Sequence, residues 1–539
     1  MAARIPRIAA AVLLAIVPWA AGAQDHRIPH IETKNGRHAL IVDDAPFLIL
    51  GGQVNNSSNY PAPLAKVWPV LDRIGANVVE APIAWQQMEP QEGRFDFSFV
   101  QTLLDEARRH EKRVVLLWFG AWKNTGLSYT PDWVKIDNRR FPRMKKPDGS
   151  DHDVLSPHGA ATLAADKRAY VALLTYLRDH DPQNTVIMVQ PENEVGSYRN
   201  PRDYGPAAQT LFDGPVPAEL ARALKKPAGT WRSLFGETAD RAFNTWHTAR
   251  YVEALAKAGK AIKPLPTYVN AALGDPFAPA DAMALSSGGP QGDVIDIWKA
   301  AAPSVDLAAP DIYKASSRIV NRHFDLYARP DNALFVPEIG NAIAFARHFW
   351  SALGRGAIGF SPFGMDDTGY YNYPLGAKAL DAATLDAFAD KYRIIAAAPW
   401  ARIAFDHPVW GVAKPDDGAP VSQIMGDWTI TASFGQWQFG QRDWFPTADL
   451  PPWDGQPVGG MAIAQLSANE FLFTGDHVRI EFAAREGTPA NGIMLRAEEG
   501  HFEGDQWIMD RIWNGDQTDY GLTIIDRPVW LKVTMGRYR

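Results

Sequence analysis

The chain predicts an α/β protein: a (β/α)8 TIM barrel with a C-terminal all-β sandwich domain. Two observations carry that reading. From about residue 38 to 400, a short apolar β-branched run, a polar or glycine-rich loop and an amphipathic helix recur eight times. After about residue 405 helical periodicity stops, and short alternating segments separated by turn residues take its place.

The expected barrel strands are Leu48–Gly51, Asn77–Ile83, Arg113–Trp118, Thr185–Gln190, Thr267–Asn270, Val305–Ala309, Ala333–Pro337 and Ala357–Ser361. Stretches with i, i+3, i+4 apolar spacing lie between them, at Phe99–His110, Lys167–His180 and Ala342–Leu353. Strands that alternate with helices form parallel sheet, and eight such units suit a closed barrel. An open dinucleotide-binding sheet is disfavoured, because Gly51-Gly52-Gln53 does not make the glycine fingerprint of a phosphate turn. The segment from about 197 to 245, rich in Pro, Gly and charge, is expected as an elaborated loop over the barrel mouth. In the tail, strands are expected at Val421–Met425, Trp428–Ser433, His477–Ala484, Gly492–Glu498 and Val529–Thr534.

Ahead of the barrel, Arg4 and Arg7 precede an apolar run from Ile8 to Trp19 that ends in Ala21-Gly22-Ala23. This is the pattern of a secretory signal peptide, and Pro18 argues against a membrane span. The expected division is a signal peptide at 1–23, a catalytic barrel at 24–404 and a β-sandwich at 405–539, with a periplasmic or secreted location. The 539 residues contain no cysteine, which excludes thiol catalysis, cysteine-ligated metals and disulfide staples. A net charge of −7 without a basic tract gives no footprint for nucleic acid. The 19 tryptophans suit a carbohydrate partner, whose rings present apolar faces to flat aromatics.

Barrel active sites lie at the carboxyl ends of the strands. Strand four ends in Pro191-Glu192-Asn193-Glu194, and strand seven ends in Pro337-Glu338. Glu194 and Glu338 are therefore the expected catalytic pair. Two carboxyl groups that face each other across one cavity are what a retaining glycosidase needs: one protonates the leaving oxygen while the other attacks the anomeric carbon.

The stretch Gln190-Pro191-Glu192-Asn193-Glu194-Val195-Gly196 resembles the acid/base motif of glycoside hydrolase family 35, the β-galactosidases of the clan A (β/α)8 glycosidases. The run Asn77-Val78-Val79-Glu80, Trp85, Glu89-Pro90, Gly93 and Phe95-Asp96-Phe97 resembles that family's second-strand region. The resemblance implies that Glu194 is the acid/base, Glu338 the nucleophile, and Asn193 a hydrogen-bond partner of the sugar 2-hydroxyl. It further implies an exo-acting pocket for terminal β-galactosides, and the expected export suggests plant-polysaccharide side chains or oligosaccharides as substrates. This chain reads Gly120-Ala121-Trp122 where the family has Ala-Glu-Trp. Another β-glycosidase activity (glucosidase, arabinosidase or endo-glycanase) and a non-catalytic carbohydrate-binding protein are the alternatives.

Further substrate-binding candidates sit at strand ends: Asn55 and Asn56 after strand one, Glu80 and Trp85 at strand two, Trp122 and Asn124 after strand three, Asn270 at strand five. Tyr313, after strand six, is placed to hydrogen-bond the nucleophile. The acidic run Asp148–Asp153 lacks calcium-loop spacing, and His152 and His158 are not spaced as a zinc pair. No cofactor and no catalytic metal are expected, and no membrane partner once the signal is cleaved.

Overall fold

The computed structural model describes residues 27–278, 281, 283, 286–439, 449–487 and 491–539. The expected signal peptide lies outside them. Eight parallel strands form the barrel: β1 (Ile49–Gln53), β2 (Val78–Ala84), β3 (Arg113–Phe119), β4 (Val186–Pro191), β5 (Tyr268–Ala272), β6 (Leu307–Ile312), β7 (Phe335–Ile339) and β8 (Gly359–Pro362). Pairing runs β5-β6-β7-β8-β1-β2-β3-β4. The ring closes between β4 and β5, where Val189 N donates to Pro266 O at 3.0 Å beside a Val189–Thr267 bridge.

Each strand is buried on both faces, so its sequence is a near-continuous apolar run rather than an alternation. Val115, Leu117 and Phe119 on β3 share one interior cluster with Leu307, Ala309 and Phe335. The opposite faces pack on the surrounding helices, including Ser98–Arg109, Ala160–His180 and Ala239–Lys260. The observed strands run one to three residues beyond most of the expected carboxyl ends. Those added residues include Gln53 and Asp311, polar side chains that end an apolar pattern on paper but continue the ladder in three dimensions.

Three differences from the sequence reading have clear causes. A three-stranded antiparallel sheet (His30–Lys34, Arg37–Val42, Ala45–Phe47) precedes the barrel. Its Leu40 and Val42 join the cluster of the strand-start residues Ile49, Val78 and Phe335, and so close the amino-terminal end of the barrel. The expected helix at 342–353 is two short helices, Ile343–Ala346 and His348–Leu353. The junction residue, Arg347, donates to Lys414 O, Ala315 O and Asp416. The segment expected as a loop at 197–245 carries short helices at Pro206–Asp213, Ala218–Ala223 and Trp231–Phe235.

The tail forms a six-stranded and a four-stranded antiparallel sheet. They enclose a core of Trp428, Ile430, Phe473, Ile480, Leu531 and Val533. The five expected tail segments are strands, and five more lie at Val409–Ala413, Gly460–Gln465, Glu470–Asp476, Gln506–Ile512 and Leu522–Ile524. Gly460–Gln465 and Glu470–Asp476 are buried on both faces and carry no alternation that would mark them. The expected boundary at 404/405 falls inside helix Trp400–Asp406. Across the junction, Lys391 Nζ and Trp350 Nε1 donate to Asp476 at 2.7 and 2.6 Å, and Trp530 stacks on Trp400 at 5.7 Å. Among the described residues no helix is long and apolar enough to cross a membrane.

Candidate active site

At the carboxyl ends of the strands lies a cavity of about 480 Å³, within the range of roughly 300–1,000 Å³ usual for small-ligand sites. Glu194, Asp311 and Glu338 converge on it, and oxygens of all three carboxyl groups lie within 4.8 Å of one another. Glu338 stands in β7 and Asp311 in β6, while Glu194 follows β4 by three residues.

The chain leaves β4 through a strained turn: Glu192 and Glu194 have φ of 68° and 43°, in the left-handed region that side chains other than glycine rarely occupy. Neighbouring groups hold this shape. Glu194 N donates to Asn270 Oδ1 at 2.9 Å, and Glu194 O accepts from Thr125 N at 3.0 Å. Asn270 Nδ2 in turn donates to Asp311 Oδ2 at 2.7 Å. One amide on β5 thus positions two of the three carboxyl-bearing residues.

Glu338 receives two donors, Gln53 Nε2 at 3.0 Å and the Tyr313 hydroxyl. Burial and then the adjacent Glu338 charge raise Tyr313 well above its ordinary range, so the phenol keeps the proton it donates. Burial likewise pushes Glu194 up to about 7. Lys123 pulls it down, the Glu338 charge pushes it up, and a hydrogen bond from Asp311 pulls it down again. Asp311 is held well above the usual carboxylate range by burial, then by the charges of Glu338 and Glu194. The trio is spaced closely enough to hold a cation. Lys123, whose ammonium lowers both Glu194 and Asp311, already supplies a positive charge there.

The remaining expected residues divide. Tyr313 and Asn124 line the cavity. Asn193 lies beside it, with Oδ1 accepting from Lys123 Nζ at 2.8 Å and a buried Nδ2 that has no protein partner. Asn270 is a brace behind the site, as described above. Besides Asn193 and Asn270, four more residues expected at the substrate lie outside the cavity wall, each for a packing reason. Trp85 is buried, and its indole N–H donates to Glu89 at 2.7 Å. Trp122 is buried edge-on against Tyr251 at 4.6 Å. Asn55 spends its backbone and side-chain N–H groups on Asp366, at 2.7 and 3.0 Å, and ties the β1 loop to the β8 loop. Its neighbour Asn56 reaches the cavity instead. Glu80 sits beneath the site and accepts from Tyr268 OH at 3.2 Å; burial raises its carboxyl group well above the usual range.

The sequence reading did not single out Lys123, Tyr198 or Gln53, and gave Asp311 no role. Lys123 neighbours the resemblance motif at 120–122, and its position beside Trp122 was the available signal. Tyr198 opens the inserted segment and reaches the cavity. Glu192, inside the quoted motif, is structural. Its carboxyl group accepts from Ala121 N at 3.1 Å and Trp122 N at 2.8 Å. A Cβ at Gly120 would fall 2.5 Å from that carboxyl group, which explains glycine there.

Residues 64–262 match the family model of glycoside hydrolase family 42, described as β-galactosidase. That match replaces the family 35 resemblance, which has no support: the shared clan features, a Glu after strand four and another after strand seven, do not separate the two families. Residues 388–525 match a domain of unknown function, DUF5597, which begins within the barrel's last long helix, Ala382–Ala396, and takes in Lys391. No curated protein matches the chain. Among solved structures, the β-galactosidase from the psychrophilic Marinomonas ef1 aligns over 66% of this chain and 62% of its own, with 12% identity and a TM-score of 0.49. That from Bacillus circulans sp. alkalophilus aligns over 65% and 56%, with 13% identity and a TM-score of 0.46. That from Rahnella sp. R3 aligns over 68% and 58%, with 15% identity and a TM-score of 0.46. The chain spans about three fifths of the length of these structures.

Proposed function

We propose that the protein is a retaining exo-β-galactosidase in which Glu194 is the acid/base and Glu338 the nucleophile. The observation that carries the reading is the approach of the Glu194 and Glu338 carboxyl oxygens to within 4.8 Å across one cavity. Direct attack on an anomeric carbon calls for carboxyl groups about 5–5.5 Å apart, whereas an inverting site leaves roughly 6.5–9.5 Å for a water. The two environments also divide the labour. Glu194, pushed up to about 7 by burial, holds a proton for the leaving oxygen through mildly acidic pH. Glu338, steadied by Gln53 and Tyr313, faces the same space as the attacking group.

In this reading Glu338 Oε attacks the anomeric carbon as Glu194 protonates the departing oxygen, and a glycosyl-enzyme ester forms. Glu194, now ionised, takes a proton from water, and the water's oxygen displaces Glu338 to release the sugar. Asn193 Nδ2 is buried without a protein partner, which supports its assignment to the sugar 2-hydroxyl. The galactose assignment rests on the description of the matched family. The residue pattern at 1–23 supports export to the periplasm or beyond, ahead of a catalytic unit at 24–404 and a sandwich at 405–539. Hydrolysis of p-nitrophenyl β-galactoside by the wild type, with severe loss in Glu338→Gln and Glu194→Gln, is the expected result. Retention of configuration at the released galactose, followed by NMR, checks the mechanism. A wild type that prefers another nitrophenyl glycoside changes the sugar, and an inverted product removes the nucleophile role.

A further inference from the structure

The loop that follows β8 departs from the usual behaviour of apolar side chains. Tyr370, Tyr371, Tyr373 and Leu375 are 66%, 45%, 60% and 52% exposed. Four large apolar side chains in six positions turn to solvent, although the loop backbone is firmly held. At its start, Asp366 accepts from Asn55 N, Ser58 Oγ and Thr368 Oγ1 at 2.7, 2.9 and 2.6 Å. In its middle, Asn372 O accepts from Leu375 N at 2.7 Å and Gly376 N at 3.0 Å. At its end, Ala377 N donates to Asn341 Oδ1 at 2.8 Å.

A loop pinned at three points while its tyrosines stay in water has fixed aromatic surfaces that the described residues leave uncovered. The surface is continuous with the catalytic cavity, since Tyr370, Asn372 and Leu375 form part of the cavity wall. Tyrosine offers a flat apolar face with a hydroxyl at its rim and little conformational entropy to lose, which suits an amphipathic ring as ligand. The Lys378 ammonium stands 4.9 Å from the centre of the Tyr373 ring and helps fix its face. A pyranose has apolar C–H faces and hydroxyl edges, and so matches this surface. An extended apolar peptide is a poorer match, because the cavity that the surface continues into is floored by three carboxyl groups.

From this geometry we infer that the 370–375 loop is a binding platform for the leaving-group sugars of an oligo- or polysaccharide. The substrate class is then a glycan chain whose terminal unit enters the cavity while the next units lie across Tyr370, Tyr371 and Tyr373. The inference rests on the proposed glycosidase site, because it assigns the cavity to the terminal sugar.

The test separates the two readings. Binding is measured by calorimetry in the Glu338→Gln background, which holds substrate without turnover. The probes are methyl β-galactoside and a galactose-terminated tetrasaccharide. The tetrasaccharide is expected to bind at least tenfold more tightly. Tyr371→Ala/Tyr373→Ala is expected to erase about fivefold to tenfold of that advantage. The conservative pair Tyr371→Phe/Tyr373→Phe, which keeps the ring faces, is expected to retain most of it. Equal binding of the two probes, no binding of the tetrasaccharide, or an advantage that survives both alanines overturns the platform. Failure of wild-type enzyme to cleave any galactoside, with the tetrasaccharide advantage intact and sensitive to the alanines, overturns the catalytic reading and leaves the platform standing.

Discussion

Two regions of the molecule bury carboxyl groups, and they treat them in opposite ways. At the barrel mouth Glu194, Asp311 and Glu338 crowd within 4.8 Å of one another, and the ammonium of Lys123 lowers both Glu194 and Asp311 without outweighing burial. At the junction with the sandwich, Asp476 is equally out of water but has Lys391 to itself at 2.7 Å, with the Trp350 indole on its other oxygen at 2.6 Å. Burial alone would raise both sets. At the mouth burial wins, and Glu194 rises to about 7. At the junction the Lys391 charge and its hydrogen bond overturn burial, with the His477 ring 3.5 Å away, and Asp476 is held far below the usual carboxylate range. A deficit of positive charge stores a proton for chemistry, whereas a matched charge makes a fastener.

The largest expected effect falls on the mouth. Glu338→Gln removes the proposed nucleophile without changing its size, and galactoside turnover should fall by several orders of magnitude while melting is little changed. Steady-state kinetics beside a thermal melt check this. If activity survives, the crowding of carboxyl groups serves something other than catalysis.

The junction should show the reverse. Asp476→Asn leaves Lys391 buried and uncompensated, at a cost of about 3–5 kcal/mol. The expected result is a large drop in the first melting transition, with kcat of the protein that remains folded close to wild type. An unchanged melt would mean that the aromatic stacking of Trp400 and Trp530 holds the junction without the ion pair.

The same contrast explains what could be read from the sequence. All eight barrel strands were legible because burial on both faces writes most of each as a near-continuous apolar run. The place of Glu194 and Glu338 at the cavity was legible because each follows such a run and a proline. Asp311 was not, since a lone acid in Ala308-Ala309-Pro310-Asp311 carries no sign that two other carboxyl groups will meet it. Lys391 and Asp476 are 85 residues apart, one on a helix and one on a strand, and only the packing of two domains pairs them. Trp85 and Trp122 show the converse error. Tryptophan is common in sugar clefts, but these two serve as core, one with its indole N–H spent on Glu89.

A third measurement sets the cost of stored protonation. Because the folded protein raises Glu194 from 4.5 to about 7, the native state binds its proton more tightly than the unfolded chain does. Its contribution is fully present below about pH 4.5 and is lost as pH rises through about 7. Glu194→Gln, which cannot ionise, should therefore match the wild type near pH 4 and exceed its stability by up to about 3 kcal/mol near pH 8. Denaturant melts at the two pH values check the sign. A Glu194→Gln variant that is less stable than the wild type at pH 8, with the deficit shrinking toward low pH, would place Glu194 among the depressed carboxyl groups with Asp476.

The smallest expected effect discriminates most finely. If Glu194 is the acid of the free enzyme, kcat/KM should fall on the alkaline side with an apparent pKa near 7. Lys123 lowers that value, so Lys123→Met should move the alkaline limb to higher pH. It should also raise KM, because the lysine holds Asn193 at 2.8 Å. Glu194→Gln in the same assay should abolish the limb rather than shift it. A limb that stays in place in Lys123→Met, with KM raised, would reduce the lysine to an anchor for Asn193. The acid that titrates would then have to be sought in Asp311, whose position depends on Asn270. Under that outcome Asn270→Ala should displace the limb, because its amide donates to Asp311 while its carbonyl accepts from the Glu194 backbone.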